Sequence, residues 1–174
     1  MQKVMVWVLL ALLAGCAPRS AVQKETMNWK TLPEVEALKK EDPRPVLADL
    51  YTTWCGWCKV MDKNTYSNPA VIKYLTEKFH AIKVNAETRE NLVWNGKSYP
   101  VDQASKTSRL AIEWTNGRLS YPTTIIIPPG EAPQAIPGYL TPAEFEPIVK
   151  YFGEGAYKRM SFPDFQKQFK PSWN

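Results

Sequence analysis

The chain has 174 residues, 44% of them hydrophobic, with 22 Lys+Arg against 17 Asp+Glu. That length fits one domain, and the composition excludes wholesale disorder, a collagen-like repeat and a solenoid. A formal charge of +5 without a dense Lys/Arg block reads as a solvated surface, so no nucleic-acid partner is expected. The single His80 excludes His-rich metal sites, and three cysteines cannot make a disulfide framework.

Lys3 gives a positive start, Val4 to Leu13 is almost wholly apolar, and Ala14, Gly15 and Cys16 follow. That is the order of a secretory signal. The run falls short of the ~20 apolar residues that span a bilayer. Leu13-Ala14-Gly15-Cys16 resembles a bacterial lipobox. The resemblance implies cleavage before Cys16, lipidation of Cys16 and a membrane-anchored, exported protein. Ala17 in place of Asp favours the outer membrane if the envelope is Gram-negative. The expected organisation is a signal peptide at 1–15, a lipidated tether at 16–27, a domain at 28–153 and a C-terminal extension at 154–174.

Trp29 to Lys40 reads as a helix, with Pro33 at an allowed early position. Val46 to Tyr51 fits a buried strand. A helix is expected from Cys58 to about Tyr66. A second follows from Pro69 to about Phe79, capped by Asn68. His80 to Asn85 is another short strand. Leu92 to Tyr99 reads as a hairpin, because Asn95-Gly96 suits a type I′ turn. Trp94 and Tyr99 either shape a groove there or pack beneath the loop. Ser105 to Trp114 reads as helical. Pro122 to Ile127 is a β-branched strand, and Gln134 to Tyr139 an edge strand, since Pro137 lacks a donor. Thr141 and Glu144 form a capping box for a helix to about Phe152. Ser161 to Phe169 reads as one more short helix. Helices and strands alternating in this way predict an α/β layered domain around a small sheet.

Cys55-Gly56-Trp57-Cys58 sits between a buried strand and a helix. Two cysteines so spaced at a helix start can close a small disulfide ring. Unpaired N–H groups and the helix dipole favour a thiolate there, and Lys59 adds positive charge. A zinc half-site would need further ligands that one His and no second Cys pair do not supply. A purely structural disulfide remains the other alternative. No metal and no cofactor beyond the cysteine pair is expected.

The segment Asp49-Leu50-Tyr51-Thr52-Thr53-Trp54-Cys55-Gly56-Trp57-Cys58-Lys59 resembles the active-site stretch of the thioredoxin superfamily. It is similar in particular to the C-terminal thioredoxin-like domain of DsbD-type transmembrane reductases. Asp62 and Tyr66-Ser67-Asn68-Pro69 extend the likeness, which resumes at Tyr121-Pro122-Thr123. The resemblance implies a thioredoxin fold with a central mixed sheet, an insertion around 88–106 and a short C-terminal extension. It implies Cys55 as attacking thiolate and Cys58 as resolving cysteine. Asp49 would be the buried acid that assists Cys58, Asp62 a second acid, Lys83 the lysine beside the buried acid, and Pro122 a cis-proline. Trp54, Gly56, Trp57 and Tyr121 would bind substrate. On the residues alone, Asp62 also reads as a solvated helix acid, Lys83 as an exposed strand residue and Pro122 as a strand opener. The dipeptide Gly56-Trp57 departs from the Gly-Pro of thioredoxin and leaves the direction of electron flow open. The function expected is a membrane-tethered thiol–disulfide oxidoreductase that reduces protein disulfides and is fed by a membrane thiol-reductant donor. The alternatives are an oxidase or isomerase and a non-catalytic binding lipoprotein.

Overall fold

The computed structural model describes residues 26–173. The signal peptide, Cys16 and nearly all of the tether lie outside the described residues.

β1 (Val46–Tyr51) is buried along almost its whole length, which explains why it reads as an apolar run rather than an alternating one. It pairs in parallel with β2 (His80–Asn85) and antiparallel with β5 (Thr123–Ile127). β6 (Gln134–Pro137) pairs antiparallel with β5. The strand order is β2-β1-β5-β6. α2 (Gly56–Asn64) and α3 (Pro69–Lys78) carry the crossover from β1 to its parallel neighbour. A separate hairpin, β3 (Leu92–Trp94) and β4 (Lys97–Tyr99), turns at Asn95-Gly96, where both φ angles are positive.

Each sheet face has its own core. Val46, Ala48, Leu50, Ile82, Val84 and Ile125 pack under α1 (Leu32–Leu38), the hairpin and α4 (Arg109–Trp114). Leu47 and Ile126 pack on the opposite face with Met61, Val71, Leu75, Phe145 and Val149, from α2, α3 and α5 (Pro142–Gly153). Strand alternation sends neighbouring residues to opposite cores. A turn of 3-10 helix (Ala156–Lys158) and α6 (Phe162–Gln168) complete the extension. The result is the expected mixed sheet between helical layers.

Several boundaries differ from the sequence reading. The first helix starts at Leu32, not Trp29. Thr31 is extended and forms a capping box with Glu34, while the Lys30 N–H donates to Ala81 O at 2.8 Å alongside β2. Sequence places the start of α2 at Cys58, but Cys55 is its N-cap, so the helix begins two residues earlier at Gly56. The helix expected from Ser105 begins only at Arg109. Ser108 caps it, and its N–H donates to Ala86 O at 2.7 Å, holding the preceding turn in a bridge with Val101. Trp94 and Tyr99 are buried and pack beneath the loop; Trp94 packs edge-on against Trp114 with centroids 5.4 Å apart. His80 is buried, with Nε2 2.9 Å from Asp42 O.

Candidate active site

Cys55 and Cys58 form a disulfide with an S–S distance of 2.06 Å. They stand where β1 ends and α2 begins, and only 4% and 3% of their surfaces are exposed. The Cys58 N–H donates to Cys55 Sγ at 3.0 Å. A sulfur thus takes the capping place usually held by a hydroxyl or carboxylate. The same donor and the helix dipole favour negative charge on Cys55 once the bond is opened. Gly56 is exposed, and a Cβ built on it meets nothing within 4 Å, so the surface between the two cysteines is open at that residue.

Asp49 lies on the α2 face of β1, the face of Leu47 and Met61, and is 1% exposed. Its cross-strand neighbours are Lys83 on β2 and Thr124 on β5. A polar row therefore crosses an otherwise apolar sheet face. Lys83 Nζ lies 3.2 Å from Asp49 Oδ2 and 2.5 Å from Asp62 Oδ1. The lysine joins the buried acid to the acid on α2. Burial drives the Asp49 carboxyl up to about 6, against the pull of the Lys83 charge and with help from the Asp62 charge. Burial opposes the Lys83 ammonium, but its bond to Asp62 and the Asp49 charge outweigh this and hold it above its usual range. The Tyr66 phenol is buried on the same face, and burial with the nearby Asp49 charge pushes it well up.

The Tyr121–Pro122 peptide bond is cis, and Pro122 is buried. Its carbonyl accepts from the Gly138 N–H at 2.8 Å, which ties the end of β6 to this turn. Trp54 and Trp57 flank the disulfide in sequence and stay 66% and 61% exposed. Trp54 sets its ring edge-on to Tyr121, centroids 6.0 Å apart, and its Nε1–H donates to Glu87 Oε2 at 2.8 Å. Trp57 leans on Tyr139 with centroids 5.6 Å apart, and Asn64 Nδ2 donates to Tyr139 Oη at 3.4 Å.

Structure therefore brings Asp49, Asp62 and Lys83 into one charged group, and sets Tyr121 against Trp54, the residue before Cys55. Sequence reasoning missed Glu87 and Tyr139, which steady the two tryptophans, and Thr124, the neighbour of Asp49. Thr124 was readable from strand alternation once β1 and β5 were known to pair. Glu87 follows β2 in irregular chain and carries no periodic signal, and Tyr139, expected as the end of the edge strand, lies beyond β6, which stops at Pro137. Among the described residues no helix is long and apolar enough to cross a membrane.

A thioredoxin-like domain family matches residues 33–153. The thiol:disulfide interchange protein DsbD of Escherichia coli K12 is 43% identical over 49 residues, 28% of this chain and 9% of DsbD. The chain spans under a tenth of the length of the curated relatives it matches. Among solved structures, a thioredoxin-fold protein from Helicobacter pylori superposes with a TM-score of 0.56 at 19% identity, covering 73% of this chain and 80% of that one. The DsbH oxidoreductase superposes with a TM-score of 0.54 at 14% identity, covering 80% and 93%. These likenesses concern the fold, and the family match extends over most of the chain. With a disulfide capping the helix after β1 and a cis-proline before β5, the chain belongs to the thioredoxin-like domain family.

Proposed function

We propose that this protein is a thiol–disulfide oxidoreductase working in the reducing direction on protein disulfides. The observation that carries the reading is the Cys55–Cys58 disulfide at the start of α2, following a strand whose Asp49 carboxyl burial pushes up to about 6. In the reduced protein the Cys55 thiolate attacks one sulfur of a substrate disulfide. A mixed disulfide forms, and the first substrate sulfur leaves as a thiolate that takes up a proton. Cys58 then gives its proton to the Asp49 carboxylate and attacks Cys55 Sγ. The second substrate sulfur departs as a thiolate and takes the proton back from Asp49 as the Cys55–Cys58 bond closes, so two electrons and two protons reach the substrate. Recycling needs a dithiol donor of lower potential, and a membrane thiol-reductant conduit fits that need. The leader and Cys16 support export and lipid anchoring to the bacterial membrane, facing the periplasm or cell exterior. Lys83 and Asp62 adjust the charge on Asp49, while Trp54, Gly56, Trp57 and Tyr121 meet the substrate.

The test is to trap the intermediate. Cys58→Ser is expected to accumulate a covalent complex with a disulfide substrate through Cys55, released by dithiothreitol, and Cys55→Ser to form none. If neither variant couples to substrate, the proposal fails. The direction follows from the reduction potential of the pair. A value near the roughly −270 mV of thioredoxin supports a reductase, and one near the roughly −120 mV of DsbA supports an oxidant.

A further inference from the structure

Around Glu87, which accepts the Trp54 indole N–H, an open cavity of about 550 Å³ is lined by Glu87, Thr88, Arg89, Val101, Gln103 and Lys106. Its walls come from the end of β2 and from the 88–106 insertion. The wall is tied to the active-site strands by backbone bonds. Ala86 N–H donates to Tyr51 O at 2.9 Å, Ser108 N–H to Ala86 O at 2.7 Å, and Asp102 N–H to Thr107 O at 2.8 Å. The cavity is thus built into the fold, and Glu87 on its wall holds the indole of Trp54, the residue before Cys55.

Its charges are uneven. The single acid in the lining, Glu87, accepts the Trp54 indole N–H at Oε2, and two cations against this one acid leave the lining with a net positive charge. The two cations, Arg89 and Lys106, are exposed and have no ion-pair partner among the described residues. Nearby Asp102 does not neutralise them: it accepts the Ser105 N–H and hydroxyl and faces Arg109 at 3.7 Å. Lys106 has a φ of 57°, a conformation the described chain otherwise gives only to asparagines and glycines. Chirality makes it costly for lysine, and such costs gather at functional sites.

The geometry points to this cavity as a recognition subsite for an acidic stretch of polypeptide lying next to the disulfide that Cys55 attacks. The inference rests on the oxidoreductase reading and names the substrates it favours. A segment extended across Trp54 rises about 3.3 Å per residue, so an Asp or Glu within roughly three positions of the reacting cysteine reaches the two cations. Opposite charge guides encounter and fixes register more than it adds raw affinity.

The experiment compares synthetic peptides with one intramolecular disulfide flanked by aspartates, serines or lysines. Reduction by the protein is followed at low salt, with uncharged dithiothreitol as a reference thiol. The aspartate peptide is expected to show a KM about two- to fivefold below that of the serine peptide, and the lysine peptide a higher one. The difference is expected to collapse at about 1 M salt, where the screening length is roughly 3 Å. It is also expected to vanish in Arg89→Gln/Lys106→Gln. Equal KM values for the three peptides, or a preference that survives high salt or the double substitution, overturn the subsite. A protein that does not exchange even with dithiothreitol overturns the oxidoreductase reading itself.

Discussion

At Asp49 a carboxyl is buried where a hydrophobic side chain would cost nothing, and it titrates at about 6 against an ordinary 3.8. The folded protein therefore holds a proton that the unfolded chain has released between about pH 4 and pH 6. Stability falls as pH rises through that window, and by pH 7 the loss reaches about 3 kcal/mol. Asp49→Asn is expected to be more stable than the parent by up to that amount at pH 7 and to match it below about pH 4. Urea unfolding of the oxidised proteins at both pH values checks this, and a parallel pH dependence in the two would contradict it. The same substitution is expected to slow release of the mixed disulfide, because Cys58 loses its proton acceptor. Cys55 and Cys58 were legible in the sequence because their relation is local, one strand running into one helix, while the role of Asp49 came from the resemblance. The place of Lys83 beside Asp49 was likewise reached only through resemblance, since it depends on the register between β1 and β2, and its bond to Asp62 was not foreseen. Glu87 and Tyr139 were not legible, because irregular chain sets their directions.

Helix ends show how local signals succeed and fail. At α5 the pattern Thr141-Pro142-Ala143-Glu144 predicts the observed reciprocal bonds, with Thr141 N–H donating to Glu144 Oε2 at 2.9 Å and Glu144 N–H to Thr141 Oγ1 at 3.3 Å. Thr31-Leu32-Pro33-Glu34 carries the same pattern and the same bonds, yet apolar spacing drew the expected helix back to Trp29. That residue belongs to the core instead, edge-on to Tyr66 with centroids 4.9 Å apart. Periodicity reports which residues are buried, whereas caps report where the backbone turns. Thr141→Ala is expected to cost about 1 kcal/mol, seen as a lower urea midpoint at an unchanged slope. A null effect would mean that tertiary packing alone sets the start of α5. In the 88–106 insertion the hairpin was legible from Asn95-Gly96, but the turn before α4 was not. It depends on Ser108 reaching Ala86, a contact between distant parts of the chain.

Over the whole molecule the layered arrangement followed from alternating helices and strands, while the role of the last residues did not. Glu146 is fully buried on α5 and gathers donors from the end of the chain. Ser172 N–H donates to its Oε1 at 2.9 Å, Ser172 Oγ–H at 2.6 Å, and Trp173 N–H to Oε2 at 3.0 Å. Lys150 Nζ adds an ion pair at 2.7 Å. Burial works against this charge, but the bonds from Lys150, Ser172 and Trp173 outweigh it and hold the carboxyl below its usual range. Trp173 then rests on Tyr74 of α3, centroids 5.5 Å apart. The extension is therefore fastened to the domain rather than appended to it. Deleting residues 170–174 strips Glu146 of all these donors except Lys150. The expected cost is on the order of 1–3 kcal/mol, read by thermal or urea unfolding, with dithiothreitol exchange at Cys55 unchanged. A truncated chain as stable as the parent would mean that Glu146 finds water in place of the tail.

The two rims of the central sheet differ from its interior in one respect. Along β2 the outer side is met by Lys30, whose N–H already serves Ala81 O, and along β6 the exposed strand is short and holds Pro137, with Pro133 just before it. A bare strand invites pairing with a neighbouring molecule, and short, proline-bearing or covered rims discourage it. Two exposed tryptophans make this molecule sticky at its reactive end, yet its sheet offers neighbours no ready ladder. Copies pressed side by side therefore meet, along these two rims, little that would extend the sheet from one molecule into the next.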